Sequence, residues 1–221
     1  GRPDFAAAGV QIVADVTPFE HMKLRLLNAS HSALAYLGYL AGHETIASTM
    51  TDVRFAALAR QVMRDAAPTL TMPDGTDIAA YGASLLQRFS NPALHHRTWQ
   101  IAMDGSQKLP QRLLGTIQDR LRLGLSIDTH ALAVAGWMRY VTAKDEQGRA
   151  IDVRDPLAGE LAGIAGRAGP VAERLAPALL ELHAIFGSLG SDPRMRIAVT
   201  GALSKLYALG ARQTVQTFQP R

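Results

Sequence analysis

The sequence predicts a mostly α-helical protein built from many helices. Apolar residues recur at intervals of three and four over most of its 221 residues, which is the spacing of one face of a helix. Three segments start with a capping residue followed by proline, at Thr17-Pro18, Asn91-Pro92 and Asp192-Pro193. Alternation of apolar and polar residues, the pattern typical of strands, marks residues 9–16 as a candidate short strand, and residues 150–153 are a possible extended piece.

The first predicted helix carries the most informative polar residues. It begins near Thr17, whose hydroxyl is a good N-cap, with Pro18 in the first turn and Glu20 completing a T-x-x-E capping box. Apolar residues follow at helical spacing to about Leu40, and Gly42 is expected to end the helix. Because Ala, Leu and Tyr dominate its second half, we expect this helix to be buried at the centre of the fold.

The remaining elements follow from helical spacing and from helix-breaking turns. Asp104 or Ser106 is predicted to cap a helix that carries Lys108 in its first turn. A turn at residues 72–76 and a polar surface excursion at residues 144–155 interrupt the helical pattern. The further predicted helices cover residues 45–51, 52–68, 77–89, 106–123, 128–140, 156–168, 170–187 and 193–217.

Composition excludes several classes of function. The chain is 48% hydrophobic and 19% charged, which is typical of a globular protein. Cysteine is absent, and the adjacent His95 and His96 would point about 100° apart on a helix, so we assign no metal. The net charge of +4 is scattered, so we expect no nucleic-acid partner. No uncharged apolar run of about 18 residues occurs, so we predict no membrane span and expect a cytoplasmic protein.

Four polar residues interrupt the apolar pattern of the first helix. At about 100° per residue, Lys23 and Asn28 lie roughly 140° apart, and Glu20 and His31 fall within that arc. A lysine near the positive end of the helix dipole is disfavoured in its charged form, which suits general acid–base work near neutrality. Asn28 can donate its amide to a carbonyl or developing alkoxide oxygen, and His31 can hold a neighbouring hydroxyl. The same residues are compatible with a solvated lysine, a core histidine and a glutamate that only caps the helix.

Motifs further along the chain accompany this pattern. The spacing K-x-x-x-x-N-x-x-H follows a T-P-F-E entry, and residues 104–112 read D-G-S-Q-K-L-P-Q-R. Further short motifs are N-P-A-L at 91–94, T-W-Q-I-A-M at 98–103, G-W-M-R-Y at 136–140 and D-P-L at 155–157. Over nearly its whole length the chain thus resembles the mannitol dehydrogenase family, for which the D-G-S-Q-K run is highly specific. The family comprises metal-independent polyol and hexuronate dehydrogenases.

The resemblance implies that this chain is the C-terminal part of a longer enzyme. No G-x-G-x-x-G fingerprint follows a strand-like run, and in the family that fingerprint belongs to an N-terminal Rossmann domain. We therefore expect residues 1–17 to be an interdomain crossing segment. Residues 18–221 are expected to be a helical substrate and catalytic domain, resembling the C-terminal helical domain of long-chain, 6-phosphogluconate-type dehydrogenases. NAD or NADP would be bound mainly by the Rossmann domain, the expected partner, and the chain alone would be inactive.

Residue by residue, the resemblance implies hydride transfer between a secondary alcohol and its ketone. Lys23 matches the general base or acid, and Asn28 matches a residue that stabilises the alkoxide. His31 matches a contact to a substrate hydroxyl, and Lys108 matches a second substrate contact on the opposite wall of the pocket. Glu20 matches a position beside a water path that relays the proton, where it can also cap the helix.

The substrate is left open between D-mannonate with D-fructuronate and D-mannitol with D-fructose. Some relatives carry an arginine eight residues before the motif lysine, where this chain has Gln100. The motifs lean towards the fructuronate reductases, whose substrate needs a cation for its carboxylate. Arg97, Arg112 and Arg139 are candidates, although a core salt bridge is the favoured role for Arg139. Two other functions stay open: a non-enzymatic helical domain that retains the motif, and a helical ligand-binding or regulatory module unrelated to redox chemistry.

Overall fold

A computed structural model describes residues 3–5, 7–8, 10 and 12–220, and these residues fold into helices joined by short loops. The α-helices are α1 (Thr17–Met22), α2 (Ala29–Leu40), α3 (Ile46–Met50), α4 (Val53–Ala66), α5 (Ile78–Phe89), α6 (Thr98–Ala102), α7 (Gly105–Leu109), α8 (Gly115–Arg122), α9 (Asp128–Tyr140), α10 (Ala158–Ala168), α11 (Ala172–Leu180), α12 (His183–Phe186) and α13 (Pro193–Thr217). A first π segment (Lys23–Asn28) joins α1 to α2, and a second π segment (Pro110–Leu114) joins α7 to α8. Among the described residues, β pairing is limited to the isolated bridges Thr45–Arg97 and Lys144–Ala150.

The core is built around α2 and α9, which pack against each other and against α13. Close approach is possible because α9 has a glycine at the contact: a Cβ on Gly136 would lie 2.9 Å from Leu37 Cδ2. Large aromatic side chains fill the remaining space, and Tyr36, Trp137 and Tyr140 are at most 2% exposed. The prediction that the second half of the first helix is buried at the centre of the fold is confirmed.

Capping carboxylates mark the starts of three helices close to the predicted bounds. Asp52, Asp77 and Asp192 each accept hydrogen bonds from backbone N–H groups in the first turn of α4, α5 and α13 respectively. These bonds satisfy donors that the helix itself leaves unpaired. The last helix is interrupted at Gly210, whose φ of 76° and ψ of 166° are not helical.

The predicted capping box at the start of the first helix is wrong. Val16 precedes α1 in a helical conformation, and no side chain caps the helix in the T-x-x-E manner. Thr17 is already a helical residue, and its own N–H donates to Asp15 Oδ1 at 2.9 Å. Asp15 therefore accepts the N–H of Thr17 that Glu20 would accept in a capping box. The side chain of Glu20 is exposed.

Two further predictions about the local backbone are also wrong. The candidate strand at residues 9–16 is absent from its described part, residues 10 and 12–16; Gly9 and Gln11 lie outside the described residues. A strand needs a neighbouring strand for its backbone groups, and no described segment supplies one. After Asn91, only a 3₁₀ turn forms (Pro92–Leu94), which His95 ends with a φ of 47°.

Within the described part of the chain, no helix has the length and apolar character needed to cross a membrane.

Candidate active site

The first π segment changes the geometry of the polar residues in the first helix. A π-helix pairs residue i with residue i+5, and Ala29 N–H donates to Leu24 O within this segment. Lys23 and Asn28 are five residues apart, so they stand at the two ends of one π turn rather than roughly 140° apart as α geometry requires. The expectation of a regular α-helix over this stretch is therefore wrong, and the actual turn brings the two side chains onto one side.

Glu20, Lys23, Asn28 and His31 form a polar stripe along this side of the helix. Glu20 precedes Lys23 by three residues and His31 follows Asn28 by three, and residues three apart are neighbours on a helix surface. Glu20 and Lys23 are exposed, Asn28 is partly buried, and His31 is buried. The polar stripe thus runs from the surface into the protein.

Two side chains hold the first π segment in place. A π turn leaves carbonyl groups without their usual partners four residues later, and the Ser30 hydroxyl donates to Leu26 O and Leu27 O. On another side, the Arg25 guanidinium pairs with Asp119 Oδ2 at 2.7 Å and donates to Thr69 O at 2.9 Å. The lysine and asparagine therefore sit on a segment that is anchored to α8 and to the turn after α4.

His31 is held between aromatic groups at the inner end of the polar stripe. Its ring stacks on Phe89 with 4.5 Å between centroids and meets His96 edge-on at 5.3 Å. Its buried Nε2 atom has no hydrogen-bond partner among the described residues. Burial, with smaller contributions from the charges of His96 and Arg112, lowers the pKa of His31 to about 3. The ring is therefore neutral near pH 7, and a neutral imidazole can both donate to and accept from a hydroxyl.

Lys108 lies on a second helix that also widens into a π segment. Pro110 begins this π segment, and a proline cannot donate the hydrogen bond that would continue a regular α-helix. Lys108 Nζ donates to Met103 O at 2.7 Å and pairs with Asp104 Oδ2 at 3.3 Å. These contacts fix the ammonium group beside the loop that precedes α7.

The cap of α7 comes from a distant residue. Asp104 has a φ of 55° and makes no capping hydrogen bond. Instead, Asp155 accepts from Ser106 N at 2.8 Å and from Ser106 Oγ at 2.6 Å. The predicted cap by Asp104 or Ser106 is therefore wrong, because the carboxylate of Asp155, 49 residues later in the chain, accepts the hydrogen bonds at the helix start instead.

The second π segment packs against the first π segment and against α2. Arg112, four residues after Lys108, donates to Ser32 Oγ at 3.1 Å, and Ser32 follows His31 directly. Among the described residues, no direct hydrogen bond or ion pair joins Lys108 to the polar stripe. Lys108 and the polar stripe thus lie on two helices that contact one another, with Arg112 bridging them. The functional roles of these residues stay predictions.

The three arginines considered for a substrate carboxylate differ in their surroundings. Arg97 is exposed, as is Gln100. Arg139 donates to Thr142 Oγ1, Lys144 O and Asp145 O and lies 5.2 Å from the Tyr207 ring centroid. It forms no ion pair with a described carboxylate, so the favoured core salt bridge is wrong; carbonyl groups satisfy it instead. Arg112 remains beside the polar stripe.

Sequence reasoning missed several residues that shape this site. In the sequence His96 is only a candidate metal ligand and Phe89 only the end of a predicted helix, although both contact the His31 ring. Arg25 lies within the motif, but its pairing with Asp119 links residues 94 positions apart and has no local signal. For Ser32, the only indication in the sequence is that it directly follows His31, a residue of the motif.

Metal ligands do not cluster in the described residues, where no group of three or more His, Asp or Glu side chains could hold an ion. The described residues also contain no strand that could precede a dinucleotide-binding glycine loop. The exposed end of the polar stripe, at Lys23, is open to a group bound from outside this chain.

Comparison with known proteins gives consistent matches over nearly the whole chain. A family model described as the mannitol dehydrogenase C-terminal domain matches residues 15–207. D-mannonate oxidoreductase of Escherichia coli (strain K12) is 55% identical over 97% of this chain and 44% of that protein. Mannitol dehydrogenase 2 of Saccharomyces cerevisiae is 38% identical over 95% of this chain and 42% of that protein.

A solved structure also matches over nearly the whole chain. Mannitol 2-dehydrogenase of Pseudomonas fluorescens, in a ternary complex with NAD and D-mannitol, superposes with a TM-score of 0.89 at 34% identity. The match covers 98% of this chain and 44% of that one. The chain therefore spans less than half the length of the relatives it matches.

Proposed function

This chain belongs to the mannitol dehydrogenase family, and we propose that it forms the substrate-binding and catalytic part of an NAD(P)-dependent oxidoreductase. The reaction interconverts a secondary alcohol of a polyol or aldonate and the corresponding ketone. A preceding Rossmann domain, in the part of the relatives that this chain does not span, binds the cofactor. The cytoplasm is the proposed location.

The observation that carries this proposal is that Lys23 and Asn28 stand at the two ends of one π turn. An ammonium group and an amide one helical turn apart can both address one oxygen atom of a substrate. π segments inside helices are frequent at functional sites, and this one is anchored by Arg25 and Ser30. The same side of the helix leads inward to the neutral ring of His31.

Each residue of the polar stripe has a role in this reaction. Lys23 takes the hydroxyl proton when the alcohol is oxidised and returns it when the ketone is reduced. Asn28 donates its amide to the developing alkoxide oxygen. His31 hydrogen-bonds to the hydroxyl next to the reacting carbon. Glu20 passes the proton between Lys23 and solvent; the exposure of both side chains supports this relay.

Lys108 binds the substrate further along its chain. Its ammonium group is oriented by Met103 O and Asp104, and the second π segment, which follows α7 directly, contacts α2. When a nicotinamide cofactor is bound, it supplies hydride transfer at its C4 atom. No metal is needed, because Lys23 and Asn28 provide the electrophilic assistance that a metal ion would otherwise give.

The decisive test is the Lys23→Ala variant of the full-length protein, assayed by NADH or NADPH oxidation with D-fructuronate and with D-fructose. Removing a general acid–base group costs about 10²- to 10⁴-fold in rate, so we expect kcat to fall by at least about 100-fold. Lys205→Ala, at an exposed lysine on α13, is the matched control and should keep wild-type turnover. Wild-type turnover by Lys23→Ala would contradict the proposal.

A further inference from the structure

Arg112 is a partly buried cation without a carboxylate partner among the described residues. Its guanidinium donates to the neutral Ser32 Oγ at 3.1 Å. Asp104 is near enough to influence it, but that carboxylate is already paired with Lys108 at 3.3 Å. Burial lowers the pKa of Arg112 from its usual range, although the group stays charged at neutral pH.

Other arginines buried in this protein are treated differently. Arg25 pairs with Asp119 at 2.7 Å, and Arg120 pairs with Asp65 at 3.7 Å. A charge withdrawn from water costs free energy unless it is paired and hydrogen-bonded. The Arg112 guanidinium can therefore still bind an anion, and none of the described residues supplies that anion.

The position of Arg112 says what that anion belongs to. It lies four residues beyond Lys108 on the second π segment and reaches Ser32, the neighbour of His31. Arg112 therefore lies between the helix that carries Lys108 and the helix that carries His31, which places its guanidinium beside both proposed substrate contacts. Of the two other candidate arginines, Arg139 is already occupied by carbonyl groups. Arg97 is exposed, and among the described residues its side chain makes no hydrogen bond to α2, whereas Arg112 does.

We propose that Arg112 binds the carboxylate of the substrate and so selects an aldonate or hexuronate over an uncharged polyol. This proposal rests on the function proposed above. A guanidinium fork matches the two oxygens of a carboxylate, which gives a short and directional pair. The carboxylate takes no part in the reaction, since the hydride moves to or from a different carbon. Arg112 acts as a specificity residue, while proton transfer stays with Lys23.

D-mannonate and D-mannitol form a matched pair of ligands for the test, because they differ only in a terminal carboxylate against a hydroxymethyl group. Calorimetric titration of the full-length protein in the presence of NADH measures the affinity of each without turnover. We expect the wild type to bind D-mannonate more tightly than D-mannitol. The preference should fall by about 10- to 100-fold in Arg112→Gln, the range for losing a charge-assisted hydrogen bond.

Two further variants keep the test informative. Arg112→Lys retains the charge but not the fork, so it should keep part of the preference even if Arg112→Gln is poorly folded. Arg97→Gln removes an exposed candidate arginine and should leave the whole preference for D-mannonate over D-mannitol in place. An unchanged preference in Arg112→Gln, or an equal loss of affinity for both ligands, would overturn the assignment.

Turnover separates failure of this proposal from failure of the proposed function. Selective D-mannonate binding that depends on Arg112, without reduction of D-fructuronate, would refute the dehydrogenase activity and leave the carboxylate site standing. Normal reduction of D-fructuronate by Arg112→Gln would refute the carboxylate site and leave the dehydrogenase standing.

Discussion

Burial decides what the individual charged groups of this site can do. Lys23 was expected to gain its chemistry partly from the helix dipole, and it lies exposed at the outer end of the polar stripe. His31 is the opposite case: it is 8% exposed and packed between Phe89 and His96. The residue types and their spacing were readable from the sequence, but burial is set by α5 and by the loop after it, which pack from elsewhere in the chain.

Two buried histidines should make the stability of the protein depend on pH. Burial lowers the pKa of His31 and of His130 from the ordinary value of 6.5 to about 3. Between these values the unfolded chain binds protons that the folded chain does not. The free energy of unfolding therefore falls as pH falls from 6.5 towards 3, by up to about 1.4 kcal/mol per pH unit for each histidine.

Substitution of His130 tests this dependence without touching the site. His130 is 0% exposed, and both ring nitrogens lack described partners. In His130→Met, urea unfolding between pH 6 and pH 4 should give a slope smaller by about 1.4 kcal/mol per pH unit than in the wild type. His183→Met, at an exposed histidine, should leave the slope unchanged. Equal slopes in His130→Met and wild type would mean that His130 is charged in the folded state.

At the scale of elements, the helix bounds were more predictable than their internal geometry. The helix predicted at 128–140 is α9, and capping carboxylates start α4, α5 and α13 near the expected positions. The π segments were not predictable from spacing, because a wide turn depends on what anchors it. In the first π segment that anchor is Arg25 with Asp119, and in the second the Pro110 ring changes the hydrogen bonding.

The start of α7 offers a test of element packing at Gly105. A Cβ at this position would lie 2.4 Å from Trp137 Nε1 and 2.7 Å from Tyr36 Oη. Both rings are 0% exposed and cannot move aside, so Gly105→Ala should cost about 1–3 kcal/mol of stability by overpacking.

Gly201 in α13 is the matched control, because a Cβ there would meet no heavy atom within 4 Å. Gly201→Ala should stabilise the protein by about 0.5–1 kcal/mol through helix propensity. Thermal or urea unfolding measures both variants. If Gly105→Ala were as stable as Gly201→Ala, the close packing of α7 on α9 would be wrong.

For the whole molecule, the apolar pattern predicted the helical class and a buried central helix, and both are observed. The apolar pattern did not indicate which ion pairs and hydrogen bonds connect segments that are distant in the sequence. Arg120 is an example: it is 6% exposed, pairs with Asp65 and donates to Asp65 O and Ser126 O. It thereby joins α8 to α4 and to the loop before α9, and no local pattern marks it.

Arg120 should therefore contribute far more to stability than its neighbour Arg122. Breaking a buried ion pair leaves an uncompensated charge, so Arg120→Met should lower the free energy of unfolding by about 3–5 kcal/mol. Arg122 is exposed and pairs with Asp119 at 3.1 Å, so Arg122→Met should cost less than about 1 kcal/mol. Urea titration of the two variants measures the difference, and similar costs would rule out Arg120 as the tie between these helices.

The cap of α7 by Asp155 sets an order of events during synthesis. The helix that carries Lys108 leaves the ribosome 49 residues before the carboxylate that completes its first turn. At about 5–20 residues per second, this delay is roughly 2–10 s. During that time the amide and hydroxyl of Ser106 can donate their hydrogen bonds to water but not to Asp155. The wall of the site that holds Lys108 and Arg112 is therefore finished late in translation, well after the polar stripe on the first helix has been made.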